Sequence, residues 1–269
     1  RAKGYLVEVS QLDRPMTYNE LKSKSHDHDA LITMLTDRID KEFLMENSHL
    51  KVISNYAVGF NNIDTLKASE LKIPIGNTPD VLTEATAEVA LGLMIAASRN
   101  FLSSEKSAEL GLWKNWHPTE HLGFALRGKT LGIIGLGRIG LRLAEMCAHA
   151  FKMKIIYVAN SEKENSLGAT KVELSELLTK SDFISLHLPL NDSTKNMIGK
   201  NEFNSMKKNA VLVNTARGEI INQTALINAL KENIIFAAGL DVTDPEPLPK
   251  ENELFQLKNA LILPHIGSA

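Results

Sequence analysis

Arg217, Glu246 and His265 are far apart in the chain, yet their settings match. Arg217 closes "VNTARG", Glu246 sits in "DVTDPEP" and His265 in "PHIG". Each follows an apolar run that reads as a strand. Open α/β sheets bind ligands at the carboxyl ends of their strands. A planar guanidinium can grip a carboxylate and polarise the carbonyl next to it. An imidazole can give a proton to an oxygen that is becoming an alkoxide. A carboxylate beside that imidazole favours its charged form and raises its pKa. Together the three suit reduction of a 2-oxo acid. Taken singly, each has a plainer reading: a surface ion pair for Arg217, a solvated loop between prolines for Glu246, a satisfied turn residue for His265. Spacing alone does not decide between these.

A second signal is "GLGRIG", Gly135 to Gly140. The strand-like "KTLGIIG" runs into it and the helix-like "RIGLRLAEMCAHAF" begins within it. Gly135 permits a tight turn, Gly137 lets a pyrophosphate touch the main chain, and Gly140 lets helix and strand pack closely. The helix N-terminus then offers N–H groups and partial positive charge to the phosphates. A dinucleotide is the expected ligand. NAD sites usually carry Asp or Glu at the end of the next strand, about 20 residues on. Here that strand, "KIIYVANSEK", ends at Ala159, Asn160 and Ser161, and Glu162 comes late. An uncharged tip near Lys163 repels a 2′-phosphate less than a carboxylate does, so NADP is preferred over NAD. No metal is expected. The chain has no CxxC, HExxH or GxSxG, and "HDHD" at His26 and His28 reads as a polar loop.

The elements that must position these residues follow from the apolar pattern. "DALITML", "LKVISN" and "KIPIGN" are short buried strands. "TEATAEVALGLMIAASRN" is a long helix, with Thr83 expected as its N-cap. Six further strands, "KTLGIIG", "KIIYVA", "DFISLHLP", "AVLVNTA", "IFAAGLDV" and "ALILPH", are mostly separated by helical segments such as "ELSELLTK" and "NQTALINALKEN". Apolar strands alternating with helices form a parallel sheet covered on both faces. The expected fold class is α/β: a Rossmann-type doubly wound parallel sheet plus a smaller flavodoxin-like substrate domain, with elements missing at both ends. The expected domains are residues 1–76, 77–265, and a return segment at 266–269.

The bulk numbers exclude other classes. Of 269 residues, 43% are hydrophobic and 23% charged, which describes a soluble globular chain. A net charge of −2 gives no field for nucleic acid. No apolar run approaches the roughly 20 residues that span a bilayer, so no membrane partner is expected. The single cysteine, Cys147, excludes a disulfide framework and reads as a small buried hydrophobe, consistent with a cytoplasmic protein.

"GLGRIG", "VNTARGEIIN", "GLDVTDPEPLP" and "LILPHIGSA" together resemble the D-isomer-specific 2-hydroxyacid dehydrogenases, over nearly the whole chain. "NYAVGFNNID", "IGNTPDVLTEATAEVALGL" and "LWKNWHP" bring it nearest to the glyoxylate/hydroxypyruvate reductases. The resemblance implies an NAD(P)-dependent enzyme in which hydride transfer turns a small 2-oxo acid into a D-2-hydroxy acid. It places the catalytic residues at Arg217, Glu246 and His265. It implies substrate-carboxylate contacts at Ala57, Val58 and Gly59, where backbone N–H groups would meet the anion, and at Arg217. It implies cofactor contacts at Thr86, Leu136, Gly137, Arg138, Ile139, Ala159, Asn160, Ser161, Leu188, Pro189, Thr215, Ala216, Asp241 and Gly267. Trp113 and Trp116 lie in a segment that either shapes the substrate pocket or packs. A homodimer through the nucleotide domain is implied, using the helix that begins at Thr83. Relatives that use NADP carry Arg near Asn160, and this chain does not. The alternatives are 3-phosphoglycerate dehydrogenase or another D-2-hydroxyacid dehydrogenase, and a non-enzymatic dinucleotide-sensing module like the related corepressors. The first would need basic residues for a phosphate, and "NYAVGFNNID" supplies none.

Overall fold

The computed structural model describes residues 4–269. Residues 1–3 of the expected first domain lie outside the described residues. Two compact units divide between Val81 and Leu82, rather than after residue 76. The cause is local. After residue 76 the chain is still bonded to the first unit: Asn77 Nδ2 donates to Val58 O at 2.9 Å, and Thr78 N to Ala57 O at 2.9 Å. Residues 266–269 group with the second unit, where Ala269 N closes a turn on Ile266 O at 2.9 Å.

The first unit alternates helix and strand: α1 (Tyr18–Ser25), β1 (Ala30–Thr33), α2 (Lys41–Glu46), β2 (Val52–Asn55), α3 (Thr65–Glu70) and β3 (Ile75–Gly76). The three strands are parallel, in the order β1-β2-β3. They fall on the three runs that the sequence marks. The helices start where capping side chains satisfy the first free N–H groups. Thr17 and Glu20 form a capping box, and Asp40 and Asp64 accept from Phe43 N and Lys67 N. Ile39, Phe43, Leu44, Ile53 and Ile63 make the core. Full burial of each such side chain contributes about 1.5–3 kcal/mol.

The second unit opens with α4 (Thr83–Ser98) and α5 (Phe101–Glu109). The N-cap position of α4 is Leu82, and Thr83 is its first helical residue without a capping hydrogen bond. That corrects the expectation for Thr83. The chain continues as β4 (Thr130–Ile134), α6 (Arg138–Phe151), β5 (Lys154–Val158), β6 (Thr170–Lys171), α7 (Leu174–Lys180), β7 (Phe183–Leu186), α8 (Lys200–Ser205), β8 (Val211–Asn214), α9 (Gln223–Lys231), β9 (Ala237–Leu240) and β10 (Ala260–Ile262). All pairings are parallel, and the sheet order is β10-β9-β8-β7-β4-β5-β6. The exposed β6 has no apolar run and escaped the sequence reading.

β4, β7, β8 and β9 are buried on both faces, and alternate side chains serve opposite cores. Ile134, Ile184, Leu186 and Leu212 face the cluster that includes Leu177, Phe203 and Leu226. Ile133, Phe183, Val211 and Val213 face Leu93, Met94, Leu143 and Cys147. Cys147 is fully buried, and burial pushes its thiol up to about 12, so it packs as a hydrophobe. The chain winds outward from β4 to β6, then crosses back so that β7 joins the other side of β4. This reversal is a topological switch point, the place outside the strand ends where open α/β sheets form their ligand crevices. Among the described residues, no helix is long and apolar enough to cross a membrane.

Candidate active site

The glycine turn sits at this switch point, and each glycine answers a different constraint. Gly135 has φ +99°, and its N–H donates to Val158 O at 2.9 Å. A Cβ there would lie 2.5 Å from His187 O, just past the end of β7, the strand that follows the reversal. Gly140 packs the helix on the turn: a Cβ would come 2.5 Å from Gly135 O and 3.0 Å from Ile133 Cγ2. Gly137 is the N-cap of α6, and a Cβ there would meet nothing within 4 Å. Its backbone is extended and would accept alanine. The absence of a side chain therefore keeps space open rather than relieving a clash.

That open space, together with a helix N-terminus that no side chain caps, fits an anion. Around it, Leu136 is buried, Ile139 half-buried, and Gly137 and Arg138 exposed. Ala159 is half-buried and Asn160 and Ser161 exposed at the end of β5. Leu188 is half-buried and Pro189 exposed after β7. Thr215 and Ala216, after β8, are buried. Thr215 Oγ1 has no hydrogen-bond partner among the described residues. Buried hydroxyls almost always have one, so this atom suits a ligand. The residues at the switch point thus fit a dinucleotide.

Asn214, fully buried at the end of β8, shapes the turn that presents Arg217. Its Oδ1 accepts from Ala216 N at 3.0 Å, and its Nδ2 donates to Arg217 O at 2.8 Å. A Cβ on Gly218 would collide with the Thr243 main chain, so this turn rests directly on the loop that carries Glu246. In that loop Thr243 Oγ1 donates to Pro245 O at 2.9 Å, and Thr243 N to Glu246 Oε2 at 3.3 Å. Glu246 Oε1 in turn bonds His265 Nδ1. Asn214 and Gly218 were missed by the sequence reading. Their only signal there was residue type at a strand end.

The electrostatics tie the three side chains together. Burial lowers the Arg217 pKa, against the charges of Glu246 and Glu219. Burial alone would raise Glu246, but its bond to His265 and the His265 and Arg217 charges leave it lowered. His265 is raised, first by its hydrogen bond to Glu246, against desolvation. A histidine held protonated, with Nε2 away from the carboxylate, can donate a proton near neutral pH.

Three residues that the resemblance gives to the cofactor are joined by hydrogen bonds through Gly267. The buried Asp241 carboxylate accepts from Ile266 N and Gly267 N, each at 2.7 Å. Thr86 Oγ1 donates to Gly267 O at 2.8 Å. In the first unit, the Ala57 N–H is already bonded to Asn55 O at 2.8 Å. That corrects the picture of three backbone donors waiting for an anion, because a tight turn at Asn55 consumes the first. Asn55 Nδ2 also donates to Gly59 O at 2.8 Å, bracing the loop. Trp113 and Trp116 are 71% and 80% exposed, so core packing does not account for them. His26 stacks on His49, and among the described residues no group of three or more His, Cys, Asp or Glu is placed to hold a metal.

Comparison with known proteins finds relatives over nearly the whole chain. Residues 91–267 match the family model described as D-isomer specific 2-hydroxyacid dehydrogenase, NAD binding domain. A glyoxylate reductase of Aeropyrum pernix is 47% identical, over 100% of this chain and 82% of its own. One from Thermococcus litoralis is 46% identical, over 99% of this chain and 82% of its own. Among solved structures, a protein from Thermus thermophilus superposes with a TM-score of 0.89 at 42% identity, covering 95% of this chain and 81% of its own.

Proposed function

Because this chain belongs to the D-isomer specific 2-hydroxyacid dehydrogenase family, an NAD(P)-dependent oxidoreductase family acting on small molecules, we propose that it reduces glyoxylate and hydroxypyruvate. The products are the corresponding 2-hydroxy acids, D in the chiral case. The observation that carries the reading is the pairing of Glu246 with His265 beside Arg217, at the carboxyl edge of a sheet with a dinucleotide turn. The glyoxylate reductases at 46–47% identity support this substrate class.

In this mechanism Arg217 grips the substrate carboxylate and polarises the 2-oxo group. Its half-buried setting strengthens both interactions. His265, held charged by Glu246, donates its proton to the carbonyl oxygen. When bound, the reduced nicotinamide supplies the hydride. Leu136–Ile139 and the α6 N-terminus would hold the pyrophosphate, Asn160 and Ser161 would meet the adenosine ribose, and Thr215 and Ala216 would contact the cofactor further along. The neutral end of β5 favours NADPH over NADH. A homodimer accords with the exposed Leu110, Leu112, Trp113 and Trp116, apolar surface that a lone copy leaves in water.

The test is direct. Purified protein is mixed with glyoxylate or hydroxypyruvate and NADPH or NADH, and absorbance of the reduced nicotinamide is followed. Consumption should occur with both acids, faster with NADPH. Arg217→Ala should weaken substrate use while cofactor affinity holds. Equal loss of both would remove Arg217 from the substrate role. Tight cofactor binding without turnover of either acid would favour a sensor.

A further inference from the structure

The adenosine end of the proposed site is built on a buried phenol. Tyr157, on β5, is 1% exposed and belongs to the core cluster that includes Leu131 and Phe183. Phenylalanine would fill that space as well, so the hydroxyl needs another reason. It accepts from Lys163 N at 2.9 Å and donates to Lys163 O at 3.4 Å. Both backbone groups of one residue in an otherwise irregular loop are thus fastened to a strand of the sheet.

The rest of the loop is fastened too. Asn165 Oδ1 accepts from Leu167 N at 3.2 Å and Ala169 N at 2.9 Å, and Asn165 Nδ2 donates to Lys163 O at 3.0 Å. At the other end, Val158 O is bonded to Gly135 N, the first glycine of the turn. Between the two anchors lie Ala159, Asn160, Ser161 and Glu162. This is the stretch that reaches the ribose 2′ position if the pyrophosphate sits on α6.

We propose that Tyr157 is a positioning residue for cofactor discrimination: through Lys163 it fixes which side chains of residues 159–163 meet the ribose 2′ group. The inference rests on the dinucleotide reading and holds whichever cofactor is preferred. Neutral Asn160 and Ser161 stand next to Glu162, Lys163 and Glu164, whose charges differ in their effect on a 2′-phosphate. A loop with one path presents one of these surfaces. A loop released from Tyr157 samples several, and its selectivity averages out. Holding the loop in its bound shape also spares the ordering cost at binding.

The experiment compares 2′,5′-ADP with 5′-AMP, which differ only at the 2′ position, by calorimetric titration of the full chain. Tyr157→Phe keeps the ring and removes the bond. The ratio of the two dissociation constants should move toward one by about 5-fold or more, because the preorganisation is lost for the preferred ligand. Asn165→Ala, which spares the β5 core, should shift the ratio the same way and carries the test if Tyr157→Phe does not fold. An unchanged ratio, or equal weakening of both ligands, overturns the proposal, since a merely structural hydroxyl would act on both alike. If the wild-type chain binds neither nucleotide, the dinucleotide reading fails first and this inference falls with it.

Discussion

The Asp241 carboxylate holds the main chain at Gly267 and Ile266 with one oxygen on each N–H. The residue just before them is His265, which has φ +55°, a left-handed conformation that side chains rarely adopt. Such a backbone persists only where its surroundings impose it. Asp241 from the end of β9 and Thr86 from α4 impose it from two sides, so the position of the imidazole is set by residues that need not touch substrate.

Asp241→Asn should therefore damage stability and chemistry together. The amide has one acceptor oxygen, and one of the two N–H groups, part-buried at Ile266 and buried at Gly267, loses its partner. A cost of about 1–3 kcal/mol is expected, measured by urea denaturation. Turnover should drop while the fold, by circular dichroism, stays intact. A variant of native stability and native turnover would show that the clamp is idle.

Glu246→Gln should move the pH dependence of the reaction. Reduction needs His265 protonated, so kcat/KM falls as pH rises past the histidine's pKa. Glu246 raises that pKa through its hydrogen bond and charge. Without the carboxylate the falling limb should shift to lower pH, and the maximal rate should fall because the imidazolium loses its partner. A profile that superposes on the wild type would place the titrating group elsewhere.

The same pair makes a distinct contribution to folding. Glu246 is held below its ordinary 4.5, so its stabilisation is present above that value and is lost as pH falls through the folded pKa. His265 is held above its ordinary 6.5, so its stabilisation is full below that value and is lost as pH rises through the folded pKa. The pair therefore contributes most between 4.5 and 6.5. With side chains 29% and 39% exposed, solvent screening limits the effect to about 1 kcal/mol or less. The difference in Tm between the wild type and His265→Gln should peak in that window. A difference that grows steadily toward high pH would contradict the pairing.

Much of this was readable in the chain because the signals were local. Ile133, Ile134, Phe183, Ile184, Val211 and Leu212 lie in unbroken apolar runs, and such runs mark strands buried on both faces. The glycine turn was legible because it needs glycine at fixed offsets. What escaped depends on distant partners. Thr86 and Gly267 are widely separated in sequence and meet only through the packing of α4. Asn214 looks like any polar residue until its amide is seen closing the turn at Arg217. The bond from Tyr157 to Lys163 is short in sequence, but a phenol in an apolar strand reads as core. β6 has no pattern of its own and is defined by pairing with β5.

Gly137 and Gly140 should separate the loss of ligand from the loss of fold. A Cβ at Gly140 would come 2.5 Å from the carbonyl oxygen of Gly135, a main-chain atom that moves only with the whole turn. Gly140→Ala should cost about 1–3 kcal/mol by overpacking and weaken the cofactor as a consequence. At Gly137 the backbone is extended, and nothing stands within 4 Å of a new Cβ. Gly137→Ala should unfold like the wild type in urea and still lose cofactor affinity by about 10-fold or more, since one methyl group would hold the pyrophosphate off the N–H groups of α6. If Gly137→Ala binds NADPH and NADH as tightly as the wild type, the open space over this glycine is not where the phosphates lie, and the placement of the cofactor on α6 is wrong.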